Sequence, residues 1–300
     1  MQLTMYAYFN ELWLRDGADA AVRFAKECGF DSIEILDQIF PGSSSVFPDE
    51  NSVIELRNAL DRHGLRCACY SVGICLLSDD LGKTRNLTAV DALKKCADRA
   101  HILSSPYLHH TLLPWRVSDE PPALALDHLL PTLIERATEV AKYSNTLGIT
   151  TLYEPQGYYI NGPAFARFYE PMKASGCAVG VCGDVGNCLY ANASPAAFFE
   201  RYAKEIRHVH LKDLCIEDAR INRQNAPQHA WDETADGSYL TEVSLGSGAV
   251  ALDTCMQELY RAEYEGAFAL ETFYWKKETT SLASHLGRDR DYMMKKYANR

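Results

Sequence analysis

Short apolar runs alternate with longer amphipathic runs along the whole chain. The short runs have the length and the β-rich composition of buried strands, whereas each longer run carries apolar residues at helical spacing. Alternation of this kind is typical of repeated βα units on a parallel sheet. We predict eight strands, at residues 4–9, 32–36, 66–72, 107–113, 150–155, 179–184, 207–213 and 267–272.

Eight βα units in 300 residues predict an α/β fold, a single (β/α)8 TIM barrel. No Pro- or Ser-rich linker separates two compositional halves, so we expect one domain over residues 1–300. A doubly wound sheet is the alternative, but no G-x-G-x-x-G motif follows the first strand. A last helix is predicted over residues 279–297.

One segment interrupts the βα rhythm. Residues 217–248, which follow the seventh predicted strand, are polar and rich in turn-forming residues. Long loops in compact domains are often lids or binding loops. We therefore expect this long loop to cover the barrel mouth and to select the substrate.

Polar residues stand at the carboxyl ends of the last four predicted strands, where barrel enzymes place their active sites. Apolar neighbours such as Val209 and Leu211 alternate with them, so the polar side chains should face the barrel interior. The candidates that converge on the mouth are Glu154, Asp184, His210 and Glu271.

Three carboxylates pointed at one another repel strongly unless a cation lies among them. Together with one imidazole they form an oxygen-rich site, which favours Mn²⁺ or Mg²⁺, with Co²⁺ or Zn²⁺ as alternatives, over a soft metal. The sequence therefore predicts a divalent metal site, with Mn²⁺ as the preferred ion.

Composition and charge exclude several classes of partner. The formal charge is −10 and no Lys/Arg-rich block is present, so the surface would repel a nucleic-acid backbone. No uncharged apolar run approaches the length of a membrane span, and the N-terminus does not resemble a signal peptide. Ten scattered cysteines without paired C-x-x-C spacing predict reduced thiols. We expect a cytoplasmic protein.

Sequence motifs spread over nearly the whole chain carry a family resemblance. The series "LYEP", "GDVGN", "HVHLKD", "SLGSG" and "YEGAFALET", together with "AKECGFDSIEIL" near the front, resembles the sugar phosphate isomerase/epimerase family, which has the xylose-isomerase-like barrel. The motif "AKECGFDSIEIL" contains Glu34. This family includes ketose 3-epimerases, hydroxypyruvate isomerases, inosose dehydratases, C-glycoside deglycosidases and related nucleases.

The resemblance implies roles for particular residues. It makes Glu154, Asp184, His210 and Glu271 the metal ligands. It also makes Glu154 and Glu271 an acid/base pair that flanks the carbon being inverted, one removing its proton and the other returning one from the opposite face. The function implied is that of a metal-dependent isomerase or epimerase acting next to a carbonyl of a ketose or keto-polyol.

The chain departs from the family pattern at Asn187, where the family usually has a histidine that touches the substrate. Asparagine can hydrogen-bond a sugar hydroxyl, but it cannot shuttle a proton near neutral pH. His109, His110 or His229 could supply the missing imidazole. Strand alternation allows only one of His109 and His110 to face inward, and we expect it to be His110.

Other polar and aromatic residues are candidates for substrate binding. His208 is in phase with the histidine ligand but one layer deeper, which predicts a packed polar residue beneath the site. Lys212 is one layer higher and should contact the substrate. Arg220 in the long loop is a candidate clamp for hydroxyl or carboxylate oxygens. Trp115 and Trp275 would give the mouth aromatic walls that suit a sugar ring.

Several functions stay open on the sequence. A lyase acting on a keto sugar, of the inosose dehydratase or C-glycoside deglycosidase type, needs almost the same site. A related nuclease is disfavoured because it requires further histidines, including the one replaced by Asn187. A protein that binds a sugar without chemistry is the remaining alternative, and a homo-oligomer is left open. We expect an unphosphorylated small-molecule substrate, since "SLGSG" is the only glycine-rich candidate for a phosphate loop.

Overall fold

Eight parallel strands close into a barrel in the computed structural model, which describes residues 1–39, 49–81, 87–114, 122–217, 232–273 and 281–298. The strands are β1 (Gln2–Met5), β2 (Ser32–Ile39), β3 (Arg66–Ile74), β4 (Tyr107–His110), β5 (Thr150–Tyr153), β6 (Val179–Asp184), β7 (Ile206–Leu211), β8 (Asp213–Glu217), β9 (Asp232–Glu233), β10 (Tyr239–Val243) and β11 (Ala267–Leu270).

The barrel consists of β1 to β7 and β11, and it closes because β1 pairs with both β2 and β11. Each of the eight predicted strands overlaps one barrel strand, and the predicted (β/α)8 barrel is confirmed. The register places Asp184 and Ala269 beside His210 on either side. The ends of β6, β7 and β11 therefore reach the same level at the barrel mouth.

Helices connect the strands on the outside of the barrel. Side chains of Asp49, Thr88 and Ser194 accept hydrogen bonds from the first-turn amides of the helices that they precede. Among the described residues, none of the helices combines the length and the hydrophobicity of a membrane span. The helices are α1 (Phe9–Asp16), α2 (Ala18–Glu27), α3 (Glu50–His63), α4 (Ala89–Ile102), α5 (Pro122–Thr146), α6 (Phe165–Ala174), α7 (Pro195–Tyr202), α8 (Leu252–Arg261) and α9 (Leu282–Tyr297).

The main core lies between the barrel and its helices. It includes Val209 and Leu211, the residues that alternate with His208 and His210 along β7. A separate small cluster of Cys69, Leu152 and Cys182 fills the barrel interior below the mouth. Strand alternation thus sends apolar side chains outward and leaves the inward positions at the strand ends for polar groups.

Described residues of the segment 217–248 join β8 in a second sheet. β10 pairs antiparallel with both β8 and β9, so that Tyr239 lies opposite Glu217 and Val243 lies opposite Asp213. Buried Leu240 and Leu214 pack with Tyr190 beneath this sheet. The sequence did not predict these strands because the segment is mostly polar, as is usual when only one face of a small sheet is buried.

The glycine-rich turn "SLGSG" is held by Asp213. The Asp213 carboxylate accepts hydrogen bonds from the backbone amides of Gly246, Gly248 and Val250 at 2.9 to 3.1 Å. A Cβ atom on Gly248 would lie 2.2 Å from Asp213 Oδ1, so only glycine fits there. The amides that could have received a phosphate are therefore bonded to an internal carboxylate.

Candidate metal centre and its cavity

The four residues predicted as metal ligands come together at the barrel mouth. Glu154 and Glu271 directly follow β5 and β11, Asp184 ends β6, and His210 lies near the end of β7. One possible ligand atom from each side chain lies within 4.8 Å of those from the other three. Three of the side chains are almost completely buried, and the Glu271 side chain is 17% exposed.

The imidazole of His210 stands at the centre of the three carboxylates. Its Nδ1 atom lies 2.9 Å from Glu154 Oε1, 3.3 Å from Glu271 Oε2 and 3.9 Å from Asp184 Oδ2. The ring also stacks on Tyr6, with centroids 4.9 Å apart. Nδ1 and three carboxylates thus face a common point.

Glu34 fixes the orientation of this imidazole from the other side. Its Oε1 atom is 3.0 Å from His210 Nε2, and its Oε2 atom is 2.7 Å from His208 Nε2. Burial alone would raise the pKa of Glu34, but His210 and His208 outweigh burial and hold that pKa well below its ordinary value. Glu34 is therefore an ionised carboxylate that accepts the hydrogen bond donated by His210 Nε2. The other ring nitrogen of His210, Nδ1, is directed at the cluster.

Lys212 adds a positive charge to the edge of the cluster. Its ammonium nitrogen lies 3.1 Å from Asp184 Oδ2 and 2.9 Å from Glu271 Oε2, and it donates to Asn187 Oδ1 at 3.0 Å. The backbone N–H of Asn187 donates to Asp184 Oδ1 at 2.6 Å. A Cβ on Gly186 would lie 2.7 Å from Lys212 Cγ, so glycine makes room for the lysine stem.

Two carboxylate oxygens in the cluster fit a divalent cation. Asp184 Oδ2 and Glu271 Oε2 are buried, and within the described part of the chain neither takes part in a hydrogen bond of acceptable geometry. Burial raises the pKa of Asp184 well above its ordinary value, and Glu271 and Glu154 add to the effect although Lys212 opposes it. Lys212 is their charged neighbour, and buried carboxylate oxygens that lack a well-formed hydrogen bond are what an oxygen-preferring metal ion satisfies.

Both glutamates of the cluster remain ionised. Burial would raise their pKa values, but His210 and His109 lower the pKa of Glu154, while Lys212 and His210 lower that of Glu271. Their charged state suits both metal binding and the removal of a proton.

His109, not His110, faces the barrel interior, so the preference for His110 is wrong. His109 Nε2 lies 3.4 Å from Glu154 Oε2, and its Nδ1 lies 2.9 Å from Ser71 Oγ. His110 points toward the helices, where its ring packs edge-on against Tyr153. His109 pairs with Ser71 on β3, and this register determines which of the two histidines faces the interior. Alternation within β4 shows only that the two side chains point to opposite faces.

A cavity of about 700 Å³ opens next to the cluster. Glu154, Glu271 and His109 line it together with residues of the β1–α1 connection, of α1 and of the ends of β2 and β3. Cavities of this size enclose small-molecule ligands. The two glutamates therefore face a space that a substrate can occupy.

The sequence as a whole identifies the family of this barrel. A family model described as the xylose isomerase-like TIM barrel matches residues 22–289. The chain belongs to this family. The resemblance inferred from the motifs is thereby confirmed.

Solved structures share the fold of this xylose isomerase-like barrel at low sequence identity. D-allulose 3-epimerase from Methylomonas sp. in complex with D-allulose has 16% identity and a TM-score of 0.71, over 99% of this chain and 97% of that one. The probable 3-DHS dehydratase AsbF from Bacillus anthracis has 15% identity and a TM-score of 0.69, over 99% and 100%. The IOLI protein with a binding zinc atom has 16% identity and a TM-score of 0.70, over 98% and 97%. No curated protein sequence gives a significant match.

Some of the remaining predicted residues lie at the cluster, and others lie outside the described residues. Asn187 and Lys212 lie at the cluster and bond to each other, and His208 lies beneath it as expected. Four others lie outside the described residues: Trp115, Arg220, His229 and Trp275.

Sequence reasoning assigned no role to Glu34, Ser71 or Asp213. Glu34 lies between Ile33 and Ile35 in a buried strand, and such an isolated carboxylate among apolar residues was the signal that could have found it. Ser71 donates a hydrogen bond to Glu34, so the two form a polar layer with His208 under the predicted metal ligands.

Proposed function

We propose that the protein is a divalent-metal-dependent sugar isomerase or epimerase that removes a proton next to a carbonyl of a ketose or keto-polyol. The observation that best supports this function is the placement of Glu154 and Glu271. The two carboxylates come from different strands, approach the same nitrogen of His210 and line the same cavity. This arrangement supports a two-base mechanism, in which one carboxylate takes the proton and the other returns one.

The metal would be held by Glu154, Asp184, His210 and Glu271. When bound, a divalent ion polarises the substrate carbonyl and so acidifies the neighbouring C–H bond. Three carboxylates and one imidazole favour Mn²⁺ or Mg²⁺. The zinc in the IOLI structure supports metal binding by this fold.

Asn187 and Lys212 would orient the substrate and would not carry the proton themselves. Asn187 cannot take up a proton, and its amide oxygen is engaged by Lys212. Lys212 stays protonated because Asp184 and Glu271 raise its pKa well above the ordinary value, although burial alone would lower it. It would therefore act as a hydrogen-bond donor to a substrate oxygen and leave proton transfer to the glutamates.

The substrate would be an unphosphorylated sugar. The backbone amides of the "SLGSG" turn are bonded to Asp213, and no lysine or arginine is among the described residues that line the cavity. Lys212, at the edge of the cluster, is already paired with Asp184 and Glu271, so no described Lys or Arg that lines the cavity is left to pair with a phosphate. The D-allulose bound to the Methylomonas epimerase is consistent with a free ketose as substrate.

A lyase is the second candidate. Removal of the same proton can be followed by loss of a substituent from the next carbon, with one glutamate as base and the other as acid. The replacement of the family's usual histidine by Asn187 favours this option, because it changes the group beside the substrate. The similarity in fold to the probable dehydratase AsbF also supports it.

Metal analysis followed by a solvent-exchange assay tests the proposal. Purified protein should carry about one divalent ion per chain, and Asp184→Ala or His210→Ala should abolish that binding. The metal-loaded protein should then be incubated in D₂O with free ketoses, inososes and 3-keto glycosides. Deuterium next to the carbonyl supports the proposal, and product analysis separates epimers from elimination products. Binding without any exchange would indicate a sugar-binding protein.

A further inference from the structure

Five buried side chains form a closed network of polar contacts inside the barrel. His210 Nδ1 lies 2.9 Å from Glu154 Oε1, and His210 Nε2 lies 3.0 Å from Glu34 Oε1. Ser71 donates to the same oxygen of Glu34, and Ser71 Oγ lies 2.9 Å from His109 Nδ1. His109 Nε2 lies 3.4 Å from Glu154 Oε2, which closes the network. None of these five residues is more than 6% exposed.

The network fixes the orientation of the His109 ring. The ionised Glu34 carboxylate only accepts hydrogen bonds, so the single hydroxyl proton of Ser71 is donated to it. Ser71 Oγ can therefore only accept from His109, and Nδ1 of that imidazole must carry a hydrogen. The bond to Ser71 thus directs the other ring nitrogen of His109, Nε2, toward Glu154 Oε2.

The contact between His109 and Glu154 is the incomplete part of the network. Its separation of 3.4 Å exceeds the about 2.7–3.2 Å that is usual for an N–H···O hydrogen bond. Among the residues that the structure describes, His109 Nε2 takes part in no well-formed hydrogen bond, although it is buried. Both residues line the cavity. Because buried polar atoms are almost always hydrogen-bonded, this gap suits a polar group of the substrate.

A hydroxyl group satisfies the two atoms that face this gap. It can donate to Glu154 Oε2 while its own oxygen accepts from His109 Nε2, when that nitrogen carries a hydrogen. When Nε2 is bare, the hydroxyl can donate to it instead, so recognition does not depend on the charge of His109. A carboxylate or phosphate oxygen would face the Glu154 carboxylate, and a C–H or methoxy group has no hydrogen to donate.

We infer that His109 determines substrate specificity by binding a hydroxyl of the sugar in the gap between its Nε2 atom and Glu154 Oε2. Glu154 is one of the two proposed bases, so this hydroxyl would stand on the carbon that loses its proton or on a neighbouring carbon. The substrate class is then a keto sugar or keto-polyol with a free hydroxyl at that position, and deoxy or O-methylated relatives bind more weakly. The inference rests on the proposed function, because it presupposes that a keto sugar binds beside Glu154.

Matched deoxy and O-methyl analogues test this role by binding, without requiring turnover. Calorimetry on the Mn²⁺-loaded protein should first rank free ketopentoses, ketohexoses and inososes. In the tightest-binding sugar, each hydroxyl near the carbonyl is then replaced in turn by hydrogen or methoxy. At one position, the affinity lost on replacement should be at least about 10-fold greater in the wild type than in His109→Phe, the usual scale for a hydrogen bond to a charged group.

Variants separate the contribution of His109 from that of the metal. A hydroxyl that only the metal binds would carry the same penalty in the wild type and in His109→Phe. His109→Gln, whose amide can donate and accept, should recover part of the penalty, and it replaces the Phe variant if the latter does not fold. His110→Phe is the matched control on the same strand, because His110 points toward the helices, and it should keep the full wild-type penalty. Metal analysis ensures that every variant is compared with Mn²⁺ bound.

Two outcomes would overturn this role of His109. One is an equal penalty in the wild type and in the His109 variants at every position tested, and the other is the absence of binding by every sugar in the panel. Deuterium exchange is scored separately. A penalty that depends on His109 without any exchange would reject the proposed reaction and retain the hydroxyl site, whereas exchange with equal penalties would do the reverse.

Discussion

His210 donates a hydrogen bond from Nε2 to Glu34 Oε1 at 3.0 Å, across 176 residues of sequence. This bond leaves Nδ1 directed at the three carboxylates of the candidate metal centre. We therefore expect Glu34 to act on a metal bound at the four predicted ligands through His210. Carboxylates in this position raise the basicity of the ligating imidazole and fix its orientation.

Glu34→Gln should weaken divalent-metal affinity by about 10- to 100-fold, the usual effect of removing a carboxylate behind a histidine ligand. A chelator-competition titration with Mn²⁺ measures it. Glu55→Gln, at an exposed position on α3, is the matched control and should bind the metal like the wild type. Unchanged affinity in Glu34→Gln would show that His210 is oriented by other contacts.

Lys212→Met should bind divalent metal more tightly, by about 10-fold or more. The lysine ammonium lies within 3.1 Å of Asp184 Oδ2 and Glu271 Oε2, so it repels a cation that approaches the same oxygens. The measurement is the rise in melting temperature on adding saturating Mn²⁺ to metal-free protein, which should be larger in the variant. Lys173→Met, which removes a surface ion pair with Glu205, should leave that rise unchanged. A smaller rise in Lys212→Met contradicts the competition.

Stability should fall in acid because of His110. Burial lowers the pKa of His110 to about 4, whereas an unfolded histidine titrates near 6.5. Between these values only the unfolded chain binds the proton, so the free energy of unfolding falls by up to about 1.4 kcal/mol per pH unit as the pH drops from about 6.5 to about 4. His110→Phe should remove this component of the pH slope in denaturant titrations. His101→Gln, at an exposed site on α4, should keep it. The same slope in wild type and His110→Phe would contradict the assignment.

The turn held by Asp213 predicts opposite effects for two glycine substitutions. Gly248→Ala should lower the free energy of unfolding by about 1–3 kcal/mol, because the new Cβ would lie 2.2 Å from Asp213 Oδ1. Gly287→Ala, in α9 with no atom within 4 Å of the new Cβ, should raise it by about 0.5–1 kcal/mol. Equal effects at the two positions would indicate that the turn rearranges freely.

Much of the barrel and of the candidate metal centre could be predicted from the sequence, because both follow from strand alternation. Glu154, Asp184, His210 and Glu271 stand at strand ends with apolar neighbours, and period-two geometry alone sends them to one point. The same reasoning failed for His109 and His110. Two adjacent polar residues in a short strand have opposite orientations, and only the pairing of His109 with Ser71 chooses between them.

Contacts between distant segments could not be predicted in this way. The bond from Asp213 to Gly248 and the pairing of β8 with β10 depend on how the chain returns after residues 218–231. The link between His208 and Glu34 joins β7 to β2 across the barrel. Composition records the residue types in such contacts but not their partners, so these features appear only in three dimensions.

Solvent deuterium exchange in Gln variants tests the central assignment, that Glu154 and Glu271 move the proton. Glutamine keeps the side-chain shape and one coordinating oxygen but cannot accept the proton. With any substrate that the wild type exchanges in D₂O, Glu154→Gln and Glu271→Gln should each retain the metal. Each should also lose exchange by about 100-fold or more, the scale of acid/base assistance. Exchange at the wild-type rate in a metal-loaded Gln variant would show that this glutamate is only a ligand, and would contradict the mechanism.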